Sequence, residues 1–176
     1  MADVYSPPVD GIRFVLEHLV DTRTTSSLPG FEHADLDTMA GLVEEFGRFC
    51  AEVLAPLNRV GDDTGVRFDP DAATVTTPPG WREAYATYVE AGWGSVPFPA
   101  EFGGGGFPWL LAIAMQEVLT SANMAFSLCP LLTQGAIDML EQHGTEEQQA
   151  EYLTRMVSGE WTGTMNLTEP QAGSDV

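Results

Sequence analysis

The feature that most limits what this chain can fold into is an apolar stripe at helical spacing. Met39, Val43, Phe46, Cys50, Val53 and Leu57 recur at intervals of four, three, four, three and four. That spacing places all six on one side of a continuous α-helix, with Glu44, Glu45, Arg48 and Glu52 on the others. Such a helix must bury its apolar side against further elements. Asp35 or Asp37 opens it as N-cap. Pro56 is expected to kink or restart it, and the Gly61–Gly65 run to end it.

The partners are also mainly helical. In residues 5–20, Asp10 is a candidate N-cap, and Ile12, Val15, Leu16 and Leu19 follow at helical spacing; 22–30 reads as a linker of Thr, Ser, Pro and Gly. Trp81, Ala84, Tyr85 and Tyr88 mark a helix that stops at Gly92. Pro108 suits the first position of another, which buries Leu111, Ala114, Met115, Val118 and Ala122. Residues 123–143 carry Met124, Phe126, Leu128, Leu131, Leu132, Ala136, Met139 and Leu140. Thr145 and Gln148 form a capping-box signature for a last helix with Tyr152, Leu153 and Met156 inward, ended by Gly159. Thr74–Thr76 is the only strand-like piece before residue 160.

At Trp161 the period changes from 3.6 to 2, with Trp161, Gly163, Met165 and Leu167 on one face of a strand. The expected organisation is an amphipathic extension and linker (1–33), a helical domain (34–158) and the start of a β-domain (159–176). An unpaired strand edge invites association, so the chain is expected to be a fragment or half of a larger assembly.

Charge removes several function classes. With 26 acidic and 7 basic residues the formal net charge is −19, which repels nucleic acid and anionic lipid. A bound anion would rest on backbone dipoles, because basic side chains are scarce. Cys50 and Cys129 are far apart in sequence and lack metal-ligand spacing, which predicts buried free thiols in a reducing compartment. No basic–apolar leader opens the chain and no apolar run approaches membrane-spanning length, so a soluble, cytoplasmic protein is expected. Asp62, Asp63 and Asp69 lack calcium-loop spacing, and no metal site is expected. The Gly103–Gly106 run lacks the residues of a phosphate loop and is read as turns and close packing.

The stretch from Asn166 to Val176, NLTEPQAGSDV, concentrates hydrogen-bond donors. Thr168, Ser174 and the amides around Gly173 lie close in sequence, and Pro170 stiffens the turn. Local chemistry leaves two readings open: a turn joining strands, or a cradle for an anionic or heteroaromatic ligand.

A resemblance separates them. The helices in order, the Gly-Gly turn before one of them, the GTEEQ…YL helix and the WTGTMNLTEPQAGSDV block resemble the N-terminal part of the acyl-CoA dehydrogenases. Tyr5-Ser6-Pro7-Pro8, Phe14-Val15-Leu16 and Leu54-Ala55-Pro56-Leu57-Asn58 are similar to the long-subunit branch, which includes the methylthiopropanoyl-CoA dehydrogenases. The likeness runs through nearly the whole chain. It implies a mainly α fold: the N-terminal helical domain plus the first strand and flavin loop of the middle β-domain. It also implies FAD-dependent α,β-dehydrogenation of fatty acyl-CoA thioesters, with a carboxylate taking the α-proton, the β-hydrogen passing to the flavin, and an electron-transfer flavoprotein as acceptor.

By the same resemblance Met165, Leu167 and Thr168 face the flavin, Gly173 and Ser174 approach the FAD diphosphate, and Ser174 also reaches the CoA side. Leu128 and Leu131 resemble the acyl-pocket lining. Members of the family are commonly homo-oligomers. Their catalytic glutamate comes from a C-terminal helical domain, and no glutamate here matches its motif. Glu117 is expected to face other helices and Glu169 to belong to the loop, so neither is assigned the role. The leading expectation is an N-terminal piece that is inactive alone. Alternatives are a subunit that completes its site with a second polypeptide, and an acidic helical interaction module without flavin.

Overall fold

A computed structural model describes residues 5–173. Its frame is helical, and each helix starts where local chemistry satisfies its free amides. Helix α1 (Val9–His18) follows Pro7 and Pro8, with Pro8 at the N-cap. Asp10, expected as the cap, instead lies in the first turn, where a carboxylate complements the helix dipole. Only Ile12 and Leu16 are buried; Val15 and Leu19 face out.

The expected linker is in part helix. α2 (Thr22–Ser27) is capped by Asp21, whose carboxylate accepts from the Thr24 amide at 3.0 Å. The Thr25 and Ser27 hydroxyls donate to carbonyls of the same turn. Buried Thr22 donates to the Leu16 carbonyl, tying α2 back onto α1. Hydroxyl-rich sequence reads as loop because these groups compete with the backbone; here they bond within a helix.

α3 (Leu36–Phe49) is capped by Asp35, which accepts from the Thr38 amide and hydroxyl at 3.0 and 2.8 Å. Met39, Val43 and Phe46 bury as their spacing requires. At Cys50–Leu54 the helix widens to a π turn, with the Ala55 amide donating to the Cys50 carbonyl. The wider turn shifts the stripe by one residue: Leu54 is fully buried, and Val53 only half. α4 (Ala55–Thr64) then restarts with Pro56 in its first turn. Proline has no amide to offer the preceding turn, so a change of helical pitch directly before it leaves less to satisfy. Gly61, expected in the terminator, lies inside α4, where a Cβ would stand 2.6 Å from Trp81 Cζ2.

Strands β1 (Arg67–Asp69) and β2 (Thr74–Thr76) form an antiparallel hairpin with Phe68 opposite Val75. β2 was expected; β1 was not, because every residue of the pair is exposed and burial imposes no alternation. The Asp69 carboxylate accepts from the Asp71 and Ala72 amides and shapes the turn.

α5 (Trp81–Glu90), α6 (Trp109–Ala122), α7 (Met124–His143) and α8 (Glu146–Val157) complete the domain. α6 buries all five predicted residues along with Ala112 and Leu119, between α3 and α7. Pro108 is its N-cap, one position before the place expected. The glycine run packs as predicted: the Gly105, Gly106 and Phe107 amides donate to the Ser95, Phe98 and Val96 carbonyls, and a Cβ on Gly104 would overlap the Phe98 carbonyl. α8 has its capping box, with the Thr145 hydroxyl accepting from the Gln148 amide and Gln148 Oε1 from the Thr145 amide. Gln149 Nε2 donates to three carbonyls that end α7, those of Leu140, Glu141 and Gly144.

One residue that the sequence reading did not single out joins three helices. Asn123 is almost fully buried between α6 and α7. Its Oδ1 accepts from the Phe126 amide at 3.0 Å, and its Nδ2 donates to the Leu54 carbonyl at 3.1 Å. Asn123→Ala removes a helix cap and leaves a buried carbonyl short of a donor, so it is expected to cost about 2–3 kcal/mol, read as a lower urea midpoint. Burial pushes the Cys50 thiol up from 9.0 and the Tyr85 phenol up from 10.0, both to about 12. The folded state therefore keeps protons that the unfolded chain releases. The stability these two groups contribute is fully present below pH 9 and is lost as pH rises towards 12, a decline that Cys50→Ala makes shallower in alkaline denaturation curves.

Candidate functional site

The site grows from the end of α8. Gly159 adopts φ +81 and its carbonyl accepts from the Tyr85 hydroxyl at 3.0 Å. The Trp161 amide donates to the Arg155 carbonyl, and the indole stacks under the Arg155 guanidinium at 4.6 Å and beside the Tyr152 ring. Two residues on, the Gly163 amide donates to Thr133 Oγ1 at 3.1 Å, while that hydroxyl donates to the Cys129 carbonyl at 2.8 Å. A Cβ on Gly163 would lie 2.5 Å from the Ala136 Cβ. Only glycine lets the backbone lie this close to α7, so the segment is pinned across that helix at Thr133 and Ala136.

Beyond the pin the chain is free of its own fold. Residues 161–167 were expected to be a strand. They make no strand pairing among the described residues, because no second strand lies beside them. Trp161 and Gly163 are half-buried, but Met165 and Leu167 are 61% and 53% exposed. The Thr168 hydroxyl has no partner among the described residues. The Glu169 amide donates to the Ala172 carbonyl at 2.9 Å, and the Ala172 amide to the Glu169 carbonyl at 3.2 Å, with Pro170 and Gln171 at the tip. Gly173 comes next, with open space around it. Ser174 lies outside the described residues.

The other candidates lie on the helix this segment crosses. α7 buries Phe126, Ser127, Pro130, Thr133 and Ile137. Met124, Leu128, Leu131 and Met139, expected among its apolar contacts, are exposed on the opposite side; Leu128 is 51% and Leu131 43% accessible. Gly135 continues that face with nothing within 4 Å of its Cβ position. Leu131, two residues from the Thr133 anchor, lies about 200° around α7 from it, so the pinned segment and the leucine face occupy different sides of the helix. Met165, Leu167, Thr168 and Gly173 share one exposed segment, and Leu128 and Leu131 share the exposed face of α7. Glu117 sits on the exposed side of α6, where the sequence suggested contact with other helices.

Two free cysteines are present. Cys50 is buried as expected, but Cys129 is exposed, because α7 turns its Pro130 side inward. Among the described residues no group of three or more His, Cys, Asp or Glu can hold a metal, and no helix is long and apolar enough to cross a membrane.

The surface can accept a flat, partly polar molecule. It offers backbone amides and carbonyls that no strand has taken, a threonine hydroxyl, and apolar side chains on either side. No basic residue occurs between 156 and 173, so polar recognition there falls to backbone and hydroxyl groups.

Residues 37–160 match the family profile described as "Acyl-CoA dehydrogenase, N-terminal domain", and the chain belongs to that family. It is 46% identical over 172 residues to a 3-methylmercaptopropionyl-CoA dehydrogenase of Ruegeria pomeroyi, covering 98% of this chain and 29% of that protein. It is 32% identical to a butyryl-CoA dehydrogenase of Syntrophomonas wolfei, covering 94% and 27% respectively. It is also 32% identical to a broad-specificity linear acyl-CoA dehydrogenase of Mycobacterium tuberculosis, covering 83% and 24%. The chain thus spans less than a third of the length of these relatives.

Thr133 and Gly163 were not singled out as site residues in the sequence. The available signal was a small residue at the third position of the alternating run, opposite a threonine on a neighbouring helix. Thr133→Val keeps shape and removes the acceptor for the Gly163 amide. Its expected cost is about 1 kcal/mol, with roughly fivefold faster hydrogen exchange at Gly163 than in the unaltered chain.

Proposed function

We propose that this chain supplies the flavin-side loop and part of the acyl pocket of an FAD-dependent acyl-CoA dehydrogenase, with residues 34–158 as its helical domain and 159–176 as the start of its β-domain. The observation that carries the reading is the Met165–Thr168 segment. Its backbone is unpaired, its apolar side chains are exposed, and Gly163 just before it is pinned to α7 at Thr133 and Ala136. Family membership and the relatives' names support the substrate class, acyl-CoA thioesters.

In this reading Thr168 hydrogen-bonds the ring edge of FAD through its hydroxyl. Met165 and Leu167 cover the ring's apolar surface, and Gly173 and Ser174 approach the diphosphate through backbone and hydroxyl. Ser174 also meets the CoA side of the substrate. Leu128 and Leu131 line the acyl chain and exclude water from it. FAD, when bound, supplies the two-electron acceptor that no side chain of this protein can provide. Preorganised donors at its edge stabilise the charge it gains. The acceptor after FAD is an electron-transfer flavoprotein, and the complete enzyme is a homo-oligomer.

No glutamate of this chain is assigned the proton-abstracting role. Glu169 is in the turn and Glu117 is on α6, away from the loop–α7 surface. We therefore propose that the 176 residues do not turn over acyl-CoA by themselves. Purified chain mixed with FAD, butyryl-CoA and a dye acceptor is expected to give no reduction; turnover sensitive to Thr168→Ala would overturn this. The exposed face of α7 also favours a second reading, in which another polypeptide completes the site. In that case co-expression with the downstream part of a relative restores activity.

In any assembly that contains this chain and binds FAD, Thr168→Ala is expected to weaken FAD about tenfold, or roughly 1.4 kcal/mol. Leu131→Asn should raise KM for acyl-CoA with little effect on FAD. Unchanged FAD affinity in Thr168→Ala, measured by flavin fluorescence, would remove Thr168 from the site.

A further inference from the structure

A second concavity lies on the Cys129 side of α7, away from Leu128 and Leu131. It is an open cleft of about 410 Å³ between α5 and the first half of α7, within the roughly 300–1,000 Å³ usual for small-molecule sites. Its walls are the rings of Trp81, Tyr85 and Phe126 with Ala125 and Cys129. Those rings are already fixed against one another: Trp81 and Phe126 centroids are 6.0 Å apart, and Tyr85 and Phe126 6.3 Å. The Tyr85 hydroxyl is occupied by the Gly159 carbonyl, so the interior offers mainly carbon. A rigid apolar cleft needs little reorganisation to accept an apolar body.

Its rim is polar and includes a cation. Arg82 lines the cleft with the Thr77 and Thr162 hydroxyls. In a chain of net charge −19, Arg13, Arg48 and Arg59 each pair with carboxylates and Arg155 covers Trp161. Arg82, like Arg23 and Arg67, makes no ion pair or side-chain hydrogen bond among the described residues, and of these three it alone lines this cleft. A guanidinium left unpaired at the mouth of an apolar cleft suits a planar anion whose other end is carbon. Cys129 stands about 100° around α7 from Leu128 and about 160° from Leu131, which separates this wall of the cleft from the leucine face.

We propose that this cleft binds an apolar monocarboxylate, its body among the Trp81, Tyr85 and Phe126 rings and its carboxylate on Arg82. The site is independent of FAD and of the acyl-CoA reading. Thr162 lies one residue before the Gly163 pin, so a ligand here also touches the segment that leads into the flavin-side loop.

Cys129 reports on the cleft directly, because it is exposed in the wall while Cys50 is buried. The probe is 2-naphthoate, with 2-naphthamide as its neutral counterpart, and the readout is the rate of Cys129 alkylation by iodoacetamide in the folded chain. Saturating 2-naphthoate is expected to slow alkylation at least fivefold, with the amide needing a concentration about tenfold higher. Arg82→Gln should abolish that difference, and Leu128→Gln should leave it unchanged. Ala125→Trp, which fills the cleft, should raise the apparent Kd for both probes more than tenfold while circular dichroism and Cys50 protection show the fold intact. No protection by naphthoate, equal protection by the amide, an unchanged preference in Arg82→Gln, or loss of protection in Leu128→Gln would each overturn the proposal.

Discussion

The arrangement of this domain depends on one buried amide side chain. Asn123 caps α7 with its oxygen and holds the Leu54 carbonyl with its nitrogen. Leu54 is the last residue of the π turn, and Pro56 lies in the next helix. Widening a helix before a proline loosens its regular ladder, and a donor from another helix strengthens the structure at that point. The bond therefore fixes the α3–α4 junction and the start of α7 together. A buried polar group with both ends satisfied specifies geometry more sharply than an apolar contact of the same size. The leucine face, the Thr133 anchor and one wall of the ring-lined cleft are all carried by α7, and they inherit their direction from that residue.

The frame was legible in the sequence where burial imposes a period. The α3 stripe, the α6 face and the capping box of α8 could each be read from spacing. The readings failed where something other than spacing decides. Leu54 replaced Val53 in the core because a π turn changes the residues per turn, and no composition signal announces that. The hairpin's first strand was missed because both its faces are in solvent. The run 22–27 became helix through hydroxyl–carbonyl bonds that the same residues can also make in loops.

α7 shows a deeper ambiguity. Its sequence is apolar around most of its circumference, so periodicity cannot say which side is core. The structure buries the side with Ser127, Pro130 and Thr133, whose polar atoms find partners within α6, α7 and the incoming segment. It leaves Leu128, Leu131 and Met139 outside. Reading Cys129 as buried failed for the same reason. The site motif was legible in a different way. The block from Trp161 to Gly173 identified the family, yet its expected strand finds no partner among the described residues, since a ladder needs groups that other strands supply.

The exposed surfaces can be ranked by what would stabilise them. Met165 and Leu167 on the segment, and Leu128 and Leu131 on α7, leave apolar area in water, and the segment adds a row of unpaired backbone groups. A partner that is only apolar would cover the side chains and bury those amides unsatisfied, at a cost that cancels part of the gain. A partner that is only polar would satisfy the amides and leave the leucines wet. The surface is therefore matched by something apolar on its face and hydrogen-bonding along its edge, which is the chemistry of a heteroaromatic ring. The α5–α7 cleft has the reverse layout, carbon throughout its interior with polar groups confined to the rim. Two surfaces on neighbouring sides of one helix thus select different ligands by where their unsatisfied groups lie. Thr133 holds Gly163 on the cleft side of α7, so the hydrogen bond that anchors the incoming segment also places Thr162 in the cleft lining.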